Sequence, residues 1–246
     1  MDQGPTDSAG LPWQGRTLPG GGFDGDDGGA DPVVTQALAA LGEGSGSVAA
    51  VVRELAASRL LVPVVAVLGE GVEASHGPAD KSADMALVTL TGNDGRRALP
   101  VFSSLESLAR WDPSARPVPV PCRRAAVSAV AEGCELMVLD PAGPVTFVVS
   151  RPALWAIGQG RPWTPAHQDR EIATVLGEVA EQVPGVVGLR SEPGTDAELL
   201  VVLLLAPGLA DDVVRGAAAT VAERLQASEL LRERVDGIRL SLAPAG

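Results

Sequence analysis

The chain has 246 residues, 46% of them apolar, and a net charge of −12, so it can bury a substantial core and has the length of two modest domains. The negative charge repels phosphate backbones and anionic lipid, and 3% aromatic residues with no tyrosine are poor material for stacking on bases; neither nucleic acid nor a membrane is expected as a partner. No apolar run approaches the ~20 residues of a membrane helix, and the first residues lack the basic-then-apolar order of a secretory signal, so the expected location is cytoplasmic.

Residues 1–31 carry runs of Gly and Asp that cannot bury enough surface to offset chain entropy, and read as a disordered acidic tail. A first unit is expected over residues 32–160. Asp31 can cap a helix that has Pro32 at its first position, with Val34, Ala37, Leu38 and Leu41 on one face. A Gly/Ser break at 42–47 precedes a second helix bearing Val48, Val51, Val52 and Leu55. Residues 60–68 read as a strand, and 69–83 as a polar loop holding His76 and Lys81.

The stretch 86–111 is the densest in signals. Leu87 to Leu90 are β-formers, Asn93-Asp94-Gly95 tolerates the positive φ of a hairpin turn, and Leu99-Pro100-Val101-Phe102 makes a second short strand. Pro100 has no N–H for a ladder, which places this strand at an edge or ends it there. Ser103 and Glu106 have capping-box spacing before a helix with Leu105, Leu108 and Ala109 inward. A helix at 123–131, strands at 135–139 and 145–149, and a short helix at 151–157 complete the unit.

A second unit is expected over residues 164–244. Thr164-Pro165 reads as a cap and first-turn proline, followed by an amphipathic stripe of Ile172, Val175, Leu176, Val179 and Val183 that Pro184-Gly185 stops. Strands at 186–190 and 198–206, a helix opening at Asp211 and a last strand at 238–242 follow. The fold class expected is α/β (α+β), two small domains, each a mixed sheet with packed helices.

Residues 81–113, with Pro100-Val101-Phe102-Ser103-Ser104 at their centre, and the later Asp140-Pro141-Ala142-Gly143 resemble the N-terminal domain of the SseB family, proteins named for enhanced serine sensitivity. The second unit is similar, in element order, to the C-terminal domain found in part of that family. The resemblance implies an α/β fold and carries over no catalytic or binding residues. Where this chain has Asp140, many relatives have Asn, which speaks against carboxylate chemistry at that position.

No phosphate-cradling loop and no nucleophile elbow occur, and Gly158-Gln159-Gly160 is a poor dinucleotide fingerprint. Cys122, Cys134, His76 and His167 lack the close ligand pairs of a zinc site, so no metal and no cofactor are expected. Cys122, early in a helix, has the one setting that favours a thiolate.

What remains is a constellation at strand ends and junctions: Lys81, Asp84, Ser103, Asp112 and Asp140. Lys81 stands out as the one lysine beside 18 arginines, a bias that suggests a GC-rich genome and a site where a compact ammonium is wanted. It is expected near Asp84, Asp112 or Asp140. The region from Phe102 to Trp111 is the expected partner surface, because an edge strand there can accept another chain.

Three functions are compatible with this pattern. The first is a non-enzymatic interaction or regulatory protein that binds another protein, with homo-oligomers possible. The second is a sensor of a small carboxylate or phosphate that uses Lys81. The third is an enzyme with an unfamiliar site. The lack of catalytic groups favours the first.

Overall fold

A computed structural model describes residue 23 and residues 25–67, 84–194 and 197–245. Lys81, His76 and most of the acidic tail lie outside the described residues.

The chain is an α/β protein. Helices α1 (Pro32–Gly42) and α2 (Val48–Ala57) begin as their caps dictate: Asp31 accepts from the Val33 N–H at 2.8 Å, and Ser47 from the Ala50 N–H at 3.2 Å. Strand β1 (Arg59–Val67) runs antiparallel to β2 (Asp84–Leu87) on one side and to β5 (Arg116–Pro121) on the other. A second sheet has the order β3-β4-β6-β7, from β3 (Leu90–Thr91), β4 (Arg97–Val101), β6 (Leu136–Leu139) and β7 (Phe147–Val149). The first unit thus holds two sheets where one was expected. They join at a bridge in which Leu61 and Phe102 exchange both backbone bonds, each at 2.9 Å.

Two sequence expectations give way here. The run 87–90 is not one strand: Leu87 pairs with Val64 and Leu90 with Ala98, so the chain changes sheets between them. Strand β4 is interior, with β3 on one side and β6, parallel, on the other. Pro100 is tolerated because β3 reaches only Arg97 and Ala98, leaving no ladder partner opposite the proline on that side.

Strand β5, with Pro117, Pro119 and Pro121, was not legible as a strand. It is the edge next to β1. The Cys122 N–H donates to the Ser58 carbonyl at 3.0 Å, so by alternation the amides of Val118 and Val120 also face β1. The prolines fall at the outward positions, where a missing N–H costs nothing and blunts the edge.

Helices α3 (Leu105–Trp111), α4 (Cys122–Ala131) and α5 (Arg151–Gln159) complete the first unit, and its core joins both sheets, with Leu55, Leu99, Met137, Leu139 and Leu154 fully buried. Burying a side chain of this size stabilises by roughly 1.5–3 kcal/mol.

Residues 25–31, expected within the tail, are instead fastened to this unit. The Arg59 guanidinium grips Asp26 with Nε and Nη2, both at 2.6 Å, and donates to the carbonyls of Gly29 at 2.8 Å and Ser103 at 2.9 Å. Gly28, at φ +77°, lies so close to Leu105 that a Cβ there would collide with that side chain.

The second unit packs around a separate core of Ile172, Leu176, Leu199, Val201, Leu203, Val221 and Leu225. Its sheet has the order β10-β9-β8, with β9 (Leu199–Leu205) central, β8 (Val186–Pro193) antiparallel to it and β10 (Ile238–Pro244) parallel. Helices α6 (Arg170–Glu181) and α7 (Asp211–Ala227) were expected; α8 (Glu229–Arg234), capped by Ser228, was not. The start of α6 is also later than Thr164-Pro165 suggests. A short 3-10 turn at Ala166–Gln168 comes first, and Asp169 is the cap, accepting from Glu171 N–H at 2.8 Å and Ile172 N–H at 3.4 Å.

Candidate functional site

Strands β4 and β6 are parallel, so their C-terminal ends lie side by side, the place where α/β folds gather ligand-binding groups. Ser103 follows β4 and Asp140 follows β6. The structure brings these two sequence-predicted residues together: the Asp140 carboxylate accepts from the Ser103 N–H at 2.9 Å and from its hydroxyl at 2.6 Å. Ser103 is therefore not the helix cap. That role falls to Ser104, whose Oγ accepts from the Ser107 N–H at 3.1 Å.

Asp140 is buried and adopts φ +50°, a left-handed conformation that Asp and Asn accept more readily than other side chains. Its carbonyl takes the Gly143 N–H at 2.9 Å and the Thr146 hydroxyl at 3.0 Å. With Arg59 on the Ser103 carbonyl, the polar groups of this junction are turned toward one another. The arrangement is a latch between two strand ends.

The other predicted positions have structural surroundings as well. Phe102 is fully buried and stacks at 5.3 Å, tilted, on Trp111, within a small cluster with Leu61, Leu108 and Ala115. Its backbone is paired with Leu61, so the edge expected to accept another chain is already occupied. Asp112 folds back on Ser114, accepting from its N–H at 2.8 Å and its hydroxyl at 2.7 Å; the Ser114 hydroxyl, then the amides of Ser114 and Ala115, hold the carboxyl below its ordinary range. Asp84 pairs its backbone with Val67 at the end of β2. Lys81, expected beside these carboxylates, lies outside the described residues. Cys122 is buried, and burial pushes its thiol up to about 12, the opposite of the thiolate that its helix position favours.

A different site emerges where the two units meet. A cleft of about 420 Å3 opens between α5, the following loop and α8. Its walls carry Trp155 and Trp163 with Arg151, Arg161 and Arg234. Trp155 is 49% exposed although it is among the chain's largest apolar side chains. Gly160, at φ +68°, ends α5 and turns the chain so that Arg161 and Trp163 return along the cleft.

The guanidinium groups are not equivalent. Arg234 bonds Asp169 at 2.9 Å and Glu171 at 2.8 Å, and these partners, Asp169 foremost, raise its pKa further. Burial works against the Asp169 charge, but bonds from Arg234 and the amides of Glu171 and Ile172 outweigh it and hold that carboxyl low. Arg151 donates to the carbonyls of Arg232 at 2.7 Å and Val235 at 3.1 Å and lies 3.6 Å from Asp236. Arg161 donates to the Gln159 side chain and, among the described residues, meets no carboxylate. Glu233 is the one further charge on the wall. Among the described residues, the cleft therefore combines two indoles with a guanidinium that meets no carboxylate. Sequence reading passed over it, although two of the chain's four tryptophans and two arginines fall within 151–163.

Residues 34–156 match the family model for the SseB protein N-terminal domain. The chain belongs to the SseB family. The match begins in α1 and ends in α5, so the SseB domain is the first unit with its two joined sheets. The second unit lies beyond the matched residues, and its likeness to the SseB C-terminal domain rests on element order alone. No curated protein and no solved structure matches the chain. Among the described residues, no helix is long and apolar enough to cross a membrane.

Proposed function

We propose that this SseB-family protein acts without catalysis, by binding another cytoplasmic protein, and that the cleft between its two units is where the partner docks. The observation that carries this reading is the half-exposed Trp155, set beside Trp163 and Arg161. Tryptophan and arginine dominate binding energy at protein interfaces because each offers a large contact area with a directional polar group. Such anchors act best when partly enclosed, as the cleft walls enclose these. The region from Phe102 to Trp111 is set aside, since Phe102 is buried and its backbone is paired.

A small-molecule sensor is the second reading. One observation favours it: the cleft has the volume of a ligand pocket, and Arg161 can take a carboxylate or phosphate. Affinity capture from native lysate with wild-type, Trp155→Ala and Arg161→Ala proteins, followed by mass spectrometry of proteins and small molecules, separates the two. The first reading expects a protein captured by wild type and lost, by at least ten-fold, with Trp155→Ala. Capture that both variants leave intact would remove the cleft from the proposal. Reproducible turnover surviving re-purification would replace it with an enzyme.

A further inference from the structure

Among the described residues, the sheet of the second unit ends on an open edge, that of β10. Two bonds fix how the outer strand β10 is turned: Leu199 N–H donates to the Gly237 carbonyl at 3.1 Å, and Ala245 N–H to the Leu205 carbonyl at 2.9 Å. In a parallel ladder both backbone groups of a residue face the same neighbour, and successive residues alternate. Residues 239, 241 and 243 therefore face β9, whereas Ile238, Leu240 and Leu242 direct their N–H and C=O groups outward. The side chains of these same residues lie on the helix side of the sheet, where Ile238 and Leu240 pack on the second core.

Beside that edge runs a mostly apolar groove of about 530 Å3, lined by Leu225, Leu231, Val235, Ile238 and Leu240, with Gln226 and Arg232 its polar members. Leu242, next in the row, is 53% exposed. Residues of α7 and α8 thus share this groove with the outer strand. An added strand with apolar residues at alternate positions would cover this groove.

We infer that a second copy of this chain fills it, pairing its own β10 antiparallel to the first across a two-fold axis. The strand that fits must present apolar side chains toward the groove at the same positions that aim backbone groups outward, and β10 does both. In registers centred on Leu240 or on Ser241, Leu240 meets Leu240 or Leu242 of the second copy on the groove side. On the other face Arg239 meets Ser241 or Ala243, so no like charges oppose each other. The strand IRLSLAP carries no acidic residue, and repulsion between two chains of net charge −12 is screened beyond about 8 Å at physiological salt. Two other edges suit this pairing less. Strand β5 is blunted by its prolines, and β8 has an irregular register at Val186/Gly188.

Size-exclusion chromatography with light scattering on the full chain tests the inference. A mass of twice 25.0 kDa is expected at high concentration, falling toward 25.0 kDa on dilution. Leu242→Lys changes a side chain already exposed in the single chain, so at a dilution where both proteins are single chains its thermal melt should match wild type, while its dimer weakens at least ten-fold. Hydrogen exchange should show the Leu240 and Leu242 amides protected in step with dimer formation. A single-chain mass at every concentration, a dimer that Leu242→Lys leaves intact, or β10 amides protected only when a different protein is added would each overturn it.

Discussion

Arg96 of the first unit donates to Asp236 of the second at 2.9 Å, although 140 residues separate them in the chain. Arg151 approaches the other oxygen of the same carboxylate, and Arg96 is itself held by Asp94 at 2.6 Å. Asp236 thus stands between two guanidinium groups from the neighbouring unit, next to the cleft wall that Arg151 helps to form.

Replacing Asp236 by Ala leaves those two cations without a shared anion. The arginines are partly exposed, so water compensates in part, and a loss of about 1–2 kcal/mol is expected. Calorimetry should also show the two units melting less cooperatively. An unchanged single transition would mean that the ion pairs do not couple them.

Glu198 lies beneath this joint. One carboxylate oxygen accepts from the Asp236 N–H at 2.7 Å, and the other is buried with no partner among the described residues. Burial first, then the nearby Asp236 charge, raises its pKa above 4.5, against the opposing pull of the Asp236 N–H and Arg151. The folded state therefore holds this proton more tightly than the unfolded chain does. Above the raised pKa the buried charge costs stability, and the cost fades as pH falls from there toward 4.5. Glu198→Gln should stabilise the protein at neutral pH and flatten this rise. Denaturant melts at pH 7 and pH 5 measure both, and an equal pH response in the variant would exclude Glu198 as the source.

At lower pH the sign reverses. Asp26 is held low chiefly by Arg59, and Asp169 by Arg234 and helix amides despite its burial. Each contributes stability above the ordinary carboxylate value, lost as pH falls through its lowered pKa. Acid unfolding should therefore begin below the pH range in which Glu198 titrates, and Arg234→Ala should move it to higher pH.

The latch at Asp140 separates a structural from a chemical role. Asp140→Ala removes the acceptor of two bonds and places alanine at positive φ, for an expected loss of about 2–4 kcal/mol. Asp140→Asn keeps an acceptor for the Ser103 N–H, offers the hydroxyl a donor in place of the second, and suits the left-handed backbone; a loss of about 1 kcal/mol or less is expected. Chemical denaturation measures both, and equal large losses would show that the negative charge itself is required.

Neither thiol should react quickly in the native protein. Burial raises both Cys122 and Cys134, the former to about 12. A chromogenic disulfide reagent at pH 8 should label them only as fast as the protein opens, with full labelling in denaturant. One rapidly labelled thiol in native protein would show an accessible thiolate at that position.

The sequence by itself determined what depends on local backbone chemistry. Asp31-Pro32 starts α1, Asn93-Asp94-Gly95 turns the β3–β4 hairpin, the stripe from Ile172 to Val179 builds α6, and the junction around Pro100 to Ser104 marks the family. Tertiary structure decided where neighbours compete for the same groups. Ser103 has the spacing of a cap, but Asp140, 37 residues away, claims its hydroxyl, and the cap passes to Ser104. Pro100 looks like an edge signal until β3 is seen to stop short of it, and the prolines of β5 hide a strand because their missing amides point away from β1. The cleft was least legible, since its tryptophans and arginines acquire meaning only when α8 closes over α5 from a unit eighty residues further along the chain. Long-range contacts have no period in sequence, so side chains brought together by them can be read only from the folded molecule.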